Sequence, residues 1–359
     1  MKLYTISEHD RIINFENKNI NNENKNLSNL LYKTKCKIDK INLKKWEIAK
    51  KFNNIFEYIY TSSNSNKNIC STIPISRSYF KLLEILYEFN FFSDNEYFSC
   101  IAEGPGGFIQ SIHDVYNYKK LNINIINCIT LISQNKKIPY WNNSIMNNPK
   151  NNLQYGVTNN GDIYNYDNCI DYINNHNEKC YLVTSDGGFD FSSNYNEQEI
   201  NSIKLLYSEI FIAINVQKIN GNFVIKVFDI LNIKTIQLIY ILYLHYEKIN
   251  FYKPDTSRLS NSEKYIVCEN FKGLNEDINQ NMKKYFDNIE KFNLFIPQSF
   301  INDINSFNNK FIKKQIDNIN DIINIINKNK YIENKPTQKQ ICCAKNWCLK
   351  YNLGTNSCF

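Results

Sequence analysis

The stretch FSCIAEGPGGF, residues 98–108, decides the fold of this chain. It begins as an apolar strand, turns through Gly-Pro-Gly-Gly and continues as a helix. Glycines in such a turn let the main chain approach a ligand closely, and the following helix presents free N–H groups. The spacing matches neither GxGxxG nor a GK[ST] phosphate loop, which favours a cofactor with an adenosine and an amino-acid end over a pyrophosphate. A tight turn without any ligand is the alternative.

Strand-like and helix-like segments alternate on both sides of this turn. Strands are predicted over 96–101, 123–131, 180–184, 223–228 and 264–268, and helices over 78–90, after Gly107, over 196–217 and over 235–246. Alternation of this kind predicts a doubly wound α/β fold with a mainly parallel sheet and crossover helices.

The two ends of the chain differ from this core in composition. Residues 1–70 are rich in Asn and Lys, with an amphipathic helix predicted over 42–60 and a polar linker, TSSNSNKN, after it. Residues 275–359 show helical spacing within Asn-, Ile- and Lys-rich runs. We therefore expect an N-terminal helical extension and linker over 1–70, a catalytic domain over 71–274 and a C-terminal helical extension over 275–359.

Rare residue types are informative in so biased a sequence, because they persist mainly where geometry or chemistry requires them. The chain has 10 Gly and 3 Arg. Half of the glycines fall in two short segments, at 104–107 and 187–188. The net charge of +7 would suit a polyanionic partner but is weak support on its own.

Cysteine usage and hydropathy exclude several classes of protein. The 11 cysteines are scattered through apparent strands and helices, so we expect reduced thiols and no disulfides. No stretch approaches the roughly 18 apolar residues of a membrane span, which predicts a soluble, cytoplasmic protein without a membrane partner. The C-terminal cysteines lack CxxC spacing, so a helix with Trp347 and Cys348 facing the core is favoured over a zinc site, and no metal is expected.

Six ordered segments, spanning roughly 71–272, resemble the FtsJ-like ribose 2′-O-methyltransferases. They are ISRSYFKLLEI at 75–85, AEGPGGF at 102–108, GDI at 161–163, TSDGGFDFSSNYNEQE at 184–199, GNFVIKVFD at 221–229 and SRLSNSEKYIVC at 257–268. The resemblance implies a Rossmann-like methyltransferase fold that uses S-adenosyl-L-methionine and acts on RNA. It implies cofactor contacts from Glu103, Gly104, Pro105, Gly106, Gly107, Phe108 and, on the adenine side, Asp162. A valine at Gly106 is expected to block the cofactor's approach.

The Asp186-Gly187-Gly188 segment resembles the mRNA-cap branch of that family, particularly its viral members, more than the Asp-Met-Ala-Pro type of ribosomal-RNA enzymes. It implies methylation of the first transcribed nucleotide of capped mRNA, in the host cytoplasm or a virion if the chain is viral, with capping or transcription proteins as further partners. A ribosomal- or transfer-RNA enzyme and a non-catalytic RNA-binding subunit stay open, as does the oligomeric state. Two departures from the family pattern affect the cofactor contacts. Cys100 stands where members often carry an acid, and the end of the second strand, NCITLIS at 127–133, lacks the acid that related folds often place there for the cofactor ribose.

The same resemblance implies a catalytic set of Lys81, Asp186, Lys226 and Glu263. Lys226 interrupts an apolar strand, and burial together with a nearby Lys81 would lower its pKa, as a general base requires. Asp186 would orient Lys226, and Glu263 would complete an alternation of acids and bases. Solvated lysines, a turn-capping Asp and a surface salt bridge are the alternatives.

Arg77 and Arg258 both sit in Ser-Arg pairs within these segments. A guanidinium retained where Lys could substitute suggests bidentate binding of phosphate or carboxylate. We therefore expect both to contact RNA phosphates, with a structural ion pair as an equally weighted alternative.

Overall fold

The computed structural model describes residues 2–15, 25–135, 137–188, 197–329 and 335–358. These residues form one eight-stranded sheet in the order β1-β7-β8-β6-β5-β2-β3-β4. The strands are β1 (Leu3–Thr5), β2 (Glu96–Ile101), β3 (Ile123–Ile129), β4 (Asn151–Gln154), β5 (Cys180–Ser185), β6 (Gln217–Val227), β7 (Tyr246–Tyr252) and β8 (Lys264–Phe271).

The described helices flank this sheet. They are α1 (Lys25–Ile38), α2 (Leu43–Asn53), α3 (Ser78–Glu88), α4 (Gly107–Lys119), α5 (Asn143–Met146), α6 (Tyr166–Asn174), α7 (Gln198–Val216), α8 (Ile233–His245), α9 (Glu276–Lys284), α10 (Gln298–Asn327) and α11 (Gln338–Lys350). Successive strand residues point to opposite faces: Leu182 packs with α3, α4 and α11, whereas Val183 packs with α6 to α10. The sheet is therefore covered on both sides.

Strand direction sets where a site can form. Strands β4, β3, β2, β5 and β6 run parallel, and β8, β7 and β1 continue the sheet antiparallel. The predicted doubly wound, mainly parallel α/β fold with helices at the termini is confirmed. The loops that follow β2, β5 and β6, and the loop that precedes β8, meet at the carboxyl edge of the parallel strands, where open α/β sheets bind ligands.

Several parts of the fold differ from the sequence prediction, and strand β4 and helix α6 were not predicted at all. Strand β7 follows α8 directly at Tyr246, without a turn residue that would mark the change. Strand β1 lies inside the segment predicted to be helical and pairs with β7. The helix predicted over 42–60 ends at Asn53, because Asn54 is extended (φ −82°, ψ 111°), and a short 3-10 turn follows at Glu57–Ile59.

The terminal extensions pack against the core. Lys35 of α1 is paired with Asp229, just beyond β6, at 2.7 Å. Trp46 of α2 packs against Ile319 of α10. In α11, Trp347 and Cys348 are buried, as predicted. Helices from both extensions thereby lie beside the loops of the carboxyl edge.

Candidate active site

Four residues predicted to be catalytic come together at the carboxyl edge of the sheet. Asp186 follows β5, and Lys226 is the penultimate residue of the neighbouring β6. Glu263 immediately precedes β8, which pairs with β6, and Lys81 lies near the start of α3. We call Lys81, Asp186, Lys226 and Glu263 the lysine cluster.

Two ion pairs organise the lysine cluster. The Lys226 Nζ donates to the main-chain oxygen of Asp186 at 2.6 Å and lies 3.2 Å from its Oδ1. The Lys81 Nζ lies 2.7 Å and 2.8 Å from the carboxylate oxygens of Glu263. All four side chains keep between 11% and 16% of their exposure, so a substrate in solution can reach them.

The charges of the cluster alternate, and this sets the pKa of Lys226. Burial lowers that pKa, but Asp186 and Glu263 outweigh burial, so the pKa is raised. The sequence prediction of a lowered pKa is wrong for the ligand-free protein, because the two lysines are separated by carboxylates. Burial raises the pKa of Glu263, but Lys81, Lys226 and Lys253 hold it well below its usual range.

Two further residues support the cluster and were missed in the sequence. Tyr265 lies opposite Lys226 in the β6–β8 pairing and donates its hydroxyl to Asp186 Oδ1 at 2.8 Å. Glu209 of α7 is buried beneath Gly187, and burial raises its pKa to about 8. An acid within the apolar run LLYSEIFIAI was the signal that could have identified Glu209.

The glycines of the 104–107 turn are needed first for packing within the protein. Gly106 has φ +111°, and a Cβ there would lie 2.6 Å from the Ile145 side chain. A Cβ on Gly104 would lie 2.5 Å from the Pro139 carbonyl oxygen, and one on Gly107 would meet two serine hydroxyls at the start of α3. Gly106→Val would therefore be strained without any ligand, so the variant cannot separate cofactor approach from folding, and the expectation that a valine blocks the cofactor stays a prediction.

Three other residues of this segment were predicted to bind cofactor. Glu103 is 4% exposed, and its carboxylate makes no hydrogen bond of normal geometry with a described residue, although the Thr184 side chain lies beside it. Its burial raises its pKa well above the usual range. The Pro105 carbonyl accepts a hydrogen bond from the Asn142 N–H at 3.0 Å. The Phe108 ring is fully buried against Tyr265, so any cofactor contact of Phe108 would come from its main chain.

Asp162 lies in a loop that meets the glycine turn at one residue. The N–H of Gly104 donates to Thr130 Oγ1 at 3.2 Å, and Gly161 packs against the carbonyl of the same threonine. Asp162 is half-buried, and its Oδ1 accepts the Tyr164 N–H at 2.9 Å. The two predicted halves of the cofactor site thus adjoin each other beyond β2 and β3.

The two arginines predicted to bind RNA converge on one buried carboxylate. Arg258 donates to both oxygens of Glu57, at 2.6 Å and 2.8 Å, and Arg77 Nη1 lies 3.4 Å from Glu57 Oε1. Arg77 also donates to the carbonyls of Tyr60 and Thr256. We call Glu57, Arg77 and Arg258 the arginine cluster. These contacts match the alternative given for the two arginines, a structural ion pair, and their role in RNA binding stays a prediction.

Part of one predicted segment, residues 189–196, lies outside the described residues. Within the part of the chain that the structure describes, no three His, Cys, Asp or Glu side chains are grouped as they would be around a metal ion. Among the described helices, none combines the length and apolar character required to cross a bilayer.

Known proteins resemble the region that carries this site. The model of a family described as FtsJ-like methyltransferase matches residues 74–271. The cap-specific mRNA (nucleoside-2′-O-)-methyltransferase 1 of Mus musculus is 33% identical over 170 residues, which are 44% of this chain and 20% of that protein. Its namesake in Drosophila melanogaster is 30% identical over 220 residues, or 55% of this chain and 28% of that protein. The chain thus matches only a minor part of these relatives.

Among solved structures, a "ribosomal RNA methyltransferase, putative" from Plasmodium falciparum superimposes with a TM-score of 0.41 and 22% identity, covering 55% of this chain and 99% of that one. The family model matches more than half of the length of this chain, so the chain belongs to the FtsJ-like methyltransferase family.

Proposed function

We propose that this FtsJ-like methyltransferase transfers a methyl group from S-adenosyl-L-methionine to the ribose 2′-hydroxyl of the first transcribed nucleotide of capped mRNA. The lysine cluster is the observation that carries the proposal. It presents an amine, Lys226, held between two carboxylates at the edge where open α/β sheets bind ligands. Such an amine is suited to binding a hydroxyl and removing its proton.

The residues of the 103–108 turn fit a cationic cofactor. A buried carboxylate without a hydrogen-bond donor is unfavourable, and a positive ligand group beside Glu103 would compensate it. We assign Glu103 and the main chain of 104–108 to the amino-acid and sulfonium end, and Asp162 to the adenine side. Cys100, which stands where relatives often carry an acid, is fully buried and takes no part. The bound cofactor supplies an electrophilic methyl group.

Lys226 then has two tasks, to bind the ribose hydroxyl and to remove its proton, and both depend on its neighbours. Asp186 fixes the direction of the amine through its main-chain oxygen and carboxylate, and Tyr265 fixes that carboxylate. In the ligand-free protein the pKa of Lys226 is raised, so the amine is protonated. A cationic ligand nearby would lower that pKa, because like charges disfavour protonation. The lysine would become a base only when the site is filled.

The Asp-Gly-Gly segment supports a capped substrate. A Cβ on Gly188 would lie 3.0 Å from the Lys226 Nζ, so a glycine leaves this amine room for a ribose hydroxyl. The relatives from mouse and fly, which are named for cap-specific 2′-O-methylation, match 44% and 55% of this chain. The space at Gly188 suits any ribose acceptor, and the similarity to these relatives favours a cap-proximal acceptor over a ribosomal or transfer RNA.

A methyl-transfer assay tests the proposal. Labelled cofactor is offered with capped mRNA, with the same RNA uncapped, and with ribosomal and transfer RNA, and the modified nucleotide is identified after nuclease digestion. We expect cap-dependent label on the first transcribed ribose and none with Lys226→Ala. Label on uncapped RNA would replace the cap assignment with the ribosomal or transfer RNA one. Cofactor and RNA binding without transfer to any substrate would leave a non-catalytic subunit.

A further inference from the structure

A second basic surface lies beside the lysine cluster and is built largely by the terminal extensions. It is a groove of about 290 Å³, lined by α2 with the residues after it, by the loop between β7 and β8, by α10 and by Lys2. Its cations are Lys2, Lys50, Lys253, Arg258 and Lys314, and Asp255 is the acid among the lining residues. Helices α2 and α10 lie outside the family match at 74–271.

The charges of the groove are only partly neutralised. Asp255 is paired with Lys2 at 2.7 Å, so it does not offset the other cations. Lys314 is exposed on α10 and makes no hydrogen bond or ion pair with any described residue. Lys50 bonds to Glu47 on its own helix, but burial and the nearby Arg258 lower its pKa. Arg258 is itself held by Glu57, so the lowered pKa of Lys50 indicates a position where the negative charge of a phosphate would be favourable.

The groove is continuous with the candidate active site. Ser257 lines it and donates its hydroxyl to Glu263 Oε1 at 2.8 Å. Lys253 lines it too and donates to the main-chain oxygens of Asn261 and Glu263. Burial, with Lys264 and Lys81 nearby, lowers the pKa of Lys253 to about 7, although Glu263 opposes this. An anion in the groove would therefore meet Lys314, which has no partner among the described residues, and two amines, Lys50 and Lys253, whose protonated forms an added negative charge would stabilise.

Phosphate is the ligand chemistry that this surface suits. Lysines bind phosphates as point charges and tolerate a moving backbone. The cations come from four separate segments and line a groove that is larger than one phosphate, which suits a run of nucleotides better than a single anion. We propose that the groove between α2, α10 and the β7–β8 loop binds the phosphodiester backbone of the RNA substrate beyond the acceptor ribose. This inference rests on the proposed function and assigns a substrate-binding role to the terminal extensions.

Paired variants of the full chain isolate the groove. Lys50→Gln with Lys314→Gln removes one cation from each helix. Lys51→Gln with Lys313→Gln makes the same change at neighbouring lysines that do not line the groove. Each protein is titrated with a long capped RNA and with a capped dinucleotide over a range of salt concentrations, without methyl transfer. Thermal unfolding checks that both variants are folded.

We expect the groove variant to bind long RNA more weakly, with a salt slope smaller by about 0.7 for each phosphate that the groove no longer neutralises. Its affinity for the capped dinucleotide should equal that of the wild type, and the control variant should match the wild type with both ligands. An equal weakening with both ligands would assign the cations to the cap phosphates, and no weakening beyond the control would exclude phosphate binding; either result overturns the proposal. A wild type that binds long RNA through the groove but never methylates capped RNA would overturn the proposed function alone.

Discussion

The lysine cluster and the arginine cluster both include a residue of the loop at 253–263, and both pair cations with carboxylates. They differ in exposure and in how the charges are arranged. In the lysine cluster each side chain keeps some exposure, and each amine meets a carboxylate that also faces another amine. In the arginine cluster the Glu57 side chain is fully buried, and two guanidinium groups converge on it. One cluster remains open to a substrate, and the other is closed.

The chemistry of the two cations explains this division. A guanidinium stays protonated and binds a carboxylate through a planar pair of donors, so Arg258 can fasten Glu57 of the N-terminal extension to the β7–β8 loop. An amine can lose its proton when its surroundings change, so Lys226 can take part in a reaction. The comparison therefore predicts that the lysine cluster controls rate and that the arginine cluster controls stability.

The largest expected effect comes from Lys226→Arg. Arginine keeps the positive charge but does not release its proton near neutral pH, so turnover should fall by about 10²–10⁴, the usual contribution of a general base. Initial rates with capped RNA give the effect, and calorimetry with S-adenosyl-L-methionine should show little change in cofactor affinity. Near-normal turnover of this variant across the pH range would mean that Lys226 acts only as a cation.

Glu57→Gln should lower stability rather than turnover. Burial raises the pKa of Glu57, but Arg258 and Arg77 lower it from 4.5 to about 2. A depressed pKa contributes stability that is present above pH 4.5 and is lost as the pH falls toward 2. Denaturant unfolding at neutral pH should show a decrease of about 3 kcal/mol. Glu47→Gln, at an exposed acid, is the control, and abolished turnover with unchanged stability would contradict the division.

Two variants should move the pH dependence of turnover in opposite directions. Asp186→Asn removes a negative charge that raises the pKa of Lys226, so the rise of kcat with pH should shift to lower pH. Lys81→Met leaves Glu263 without its partner, which strengthens the effect of that carboxylate on Lys226 and should shift the rise to higher pH. Shifts in the same direction would show that the alternation of charges does not set this pKa.

Arg258→Lys should have the smallest effect. Lysine keeps the charge but cannot bind Glu57 through two parallel donors, so we expect a decrease of about 1 kcal/mol in the free energy of unfolding. RNA affinity and its salt dependence, measured by fluorescence anisotropy, should stay at the wild-type level because the charge is retained. A marked fall in RNA affinity would show that the Arg258 guanidinium itself contacts phosphate, beyond lining the groove while it is bound to Glu57.

Local sequence signals predicted the core of the fold well and the edges of the sheet poorly. The apolar run of β2, bounded by turn residues, gave the observed limits at Glu96 and Ile101. Strand β7 was missed because it follows α8 directly, without a Gly or Pro between them to mark the change. Strand β1 has three residues and depends on a distant partner, so it carries no periodicity.

The candidate site shows the same limit. Asp186 and Lys226 lie within recognisable segments at strand ends, so their neighbourhood followed from the predicted parallel sheet. The partner of Arg258 lies 201 positions away in the chain. The rarity of arginine indicated that Arg258 binds an anion through two donors, but it did not indicate whether that anion is a phosphate or a carboxylate. The raised pKa of Lys226 depended on where two carboxylates lie, which no local pattern specifies.

Strand β1 has a consequence for the order in which the molecule is assembled. Leu3 pairs with Tyr252, so the ribosome makes β1 long before its partner β7 exists. Until β1 docks, β7 presents an unpaired strand edge to other chains. Pairing β1 with β7 closes a long loop, and the entropy cost of this closure is offset only when the remaining strands are in place. We therefore expect β1 to join the sheet late. The pairing of β1 therefore closes the exposed edge of β7 to other chains as the last step in forming the sheet.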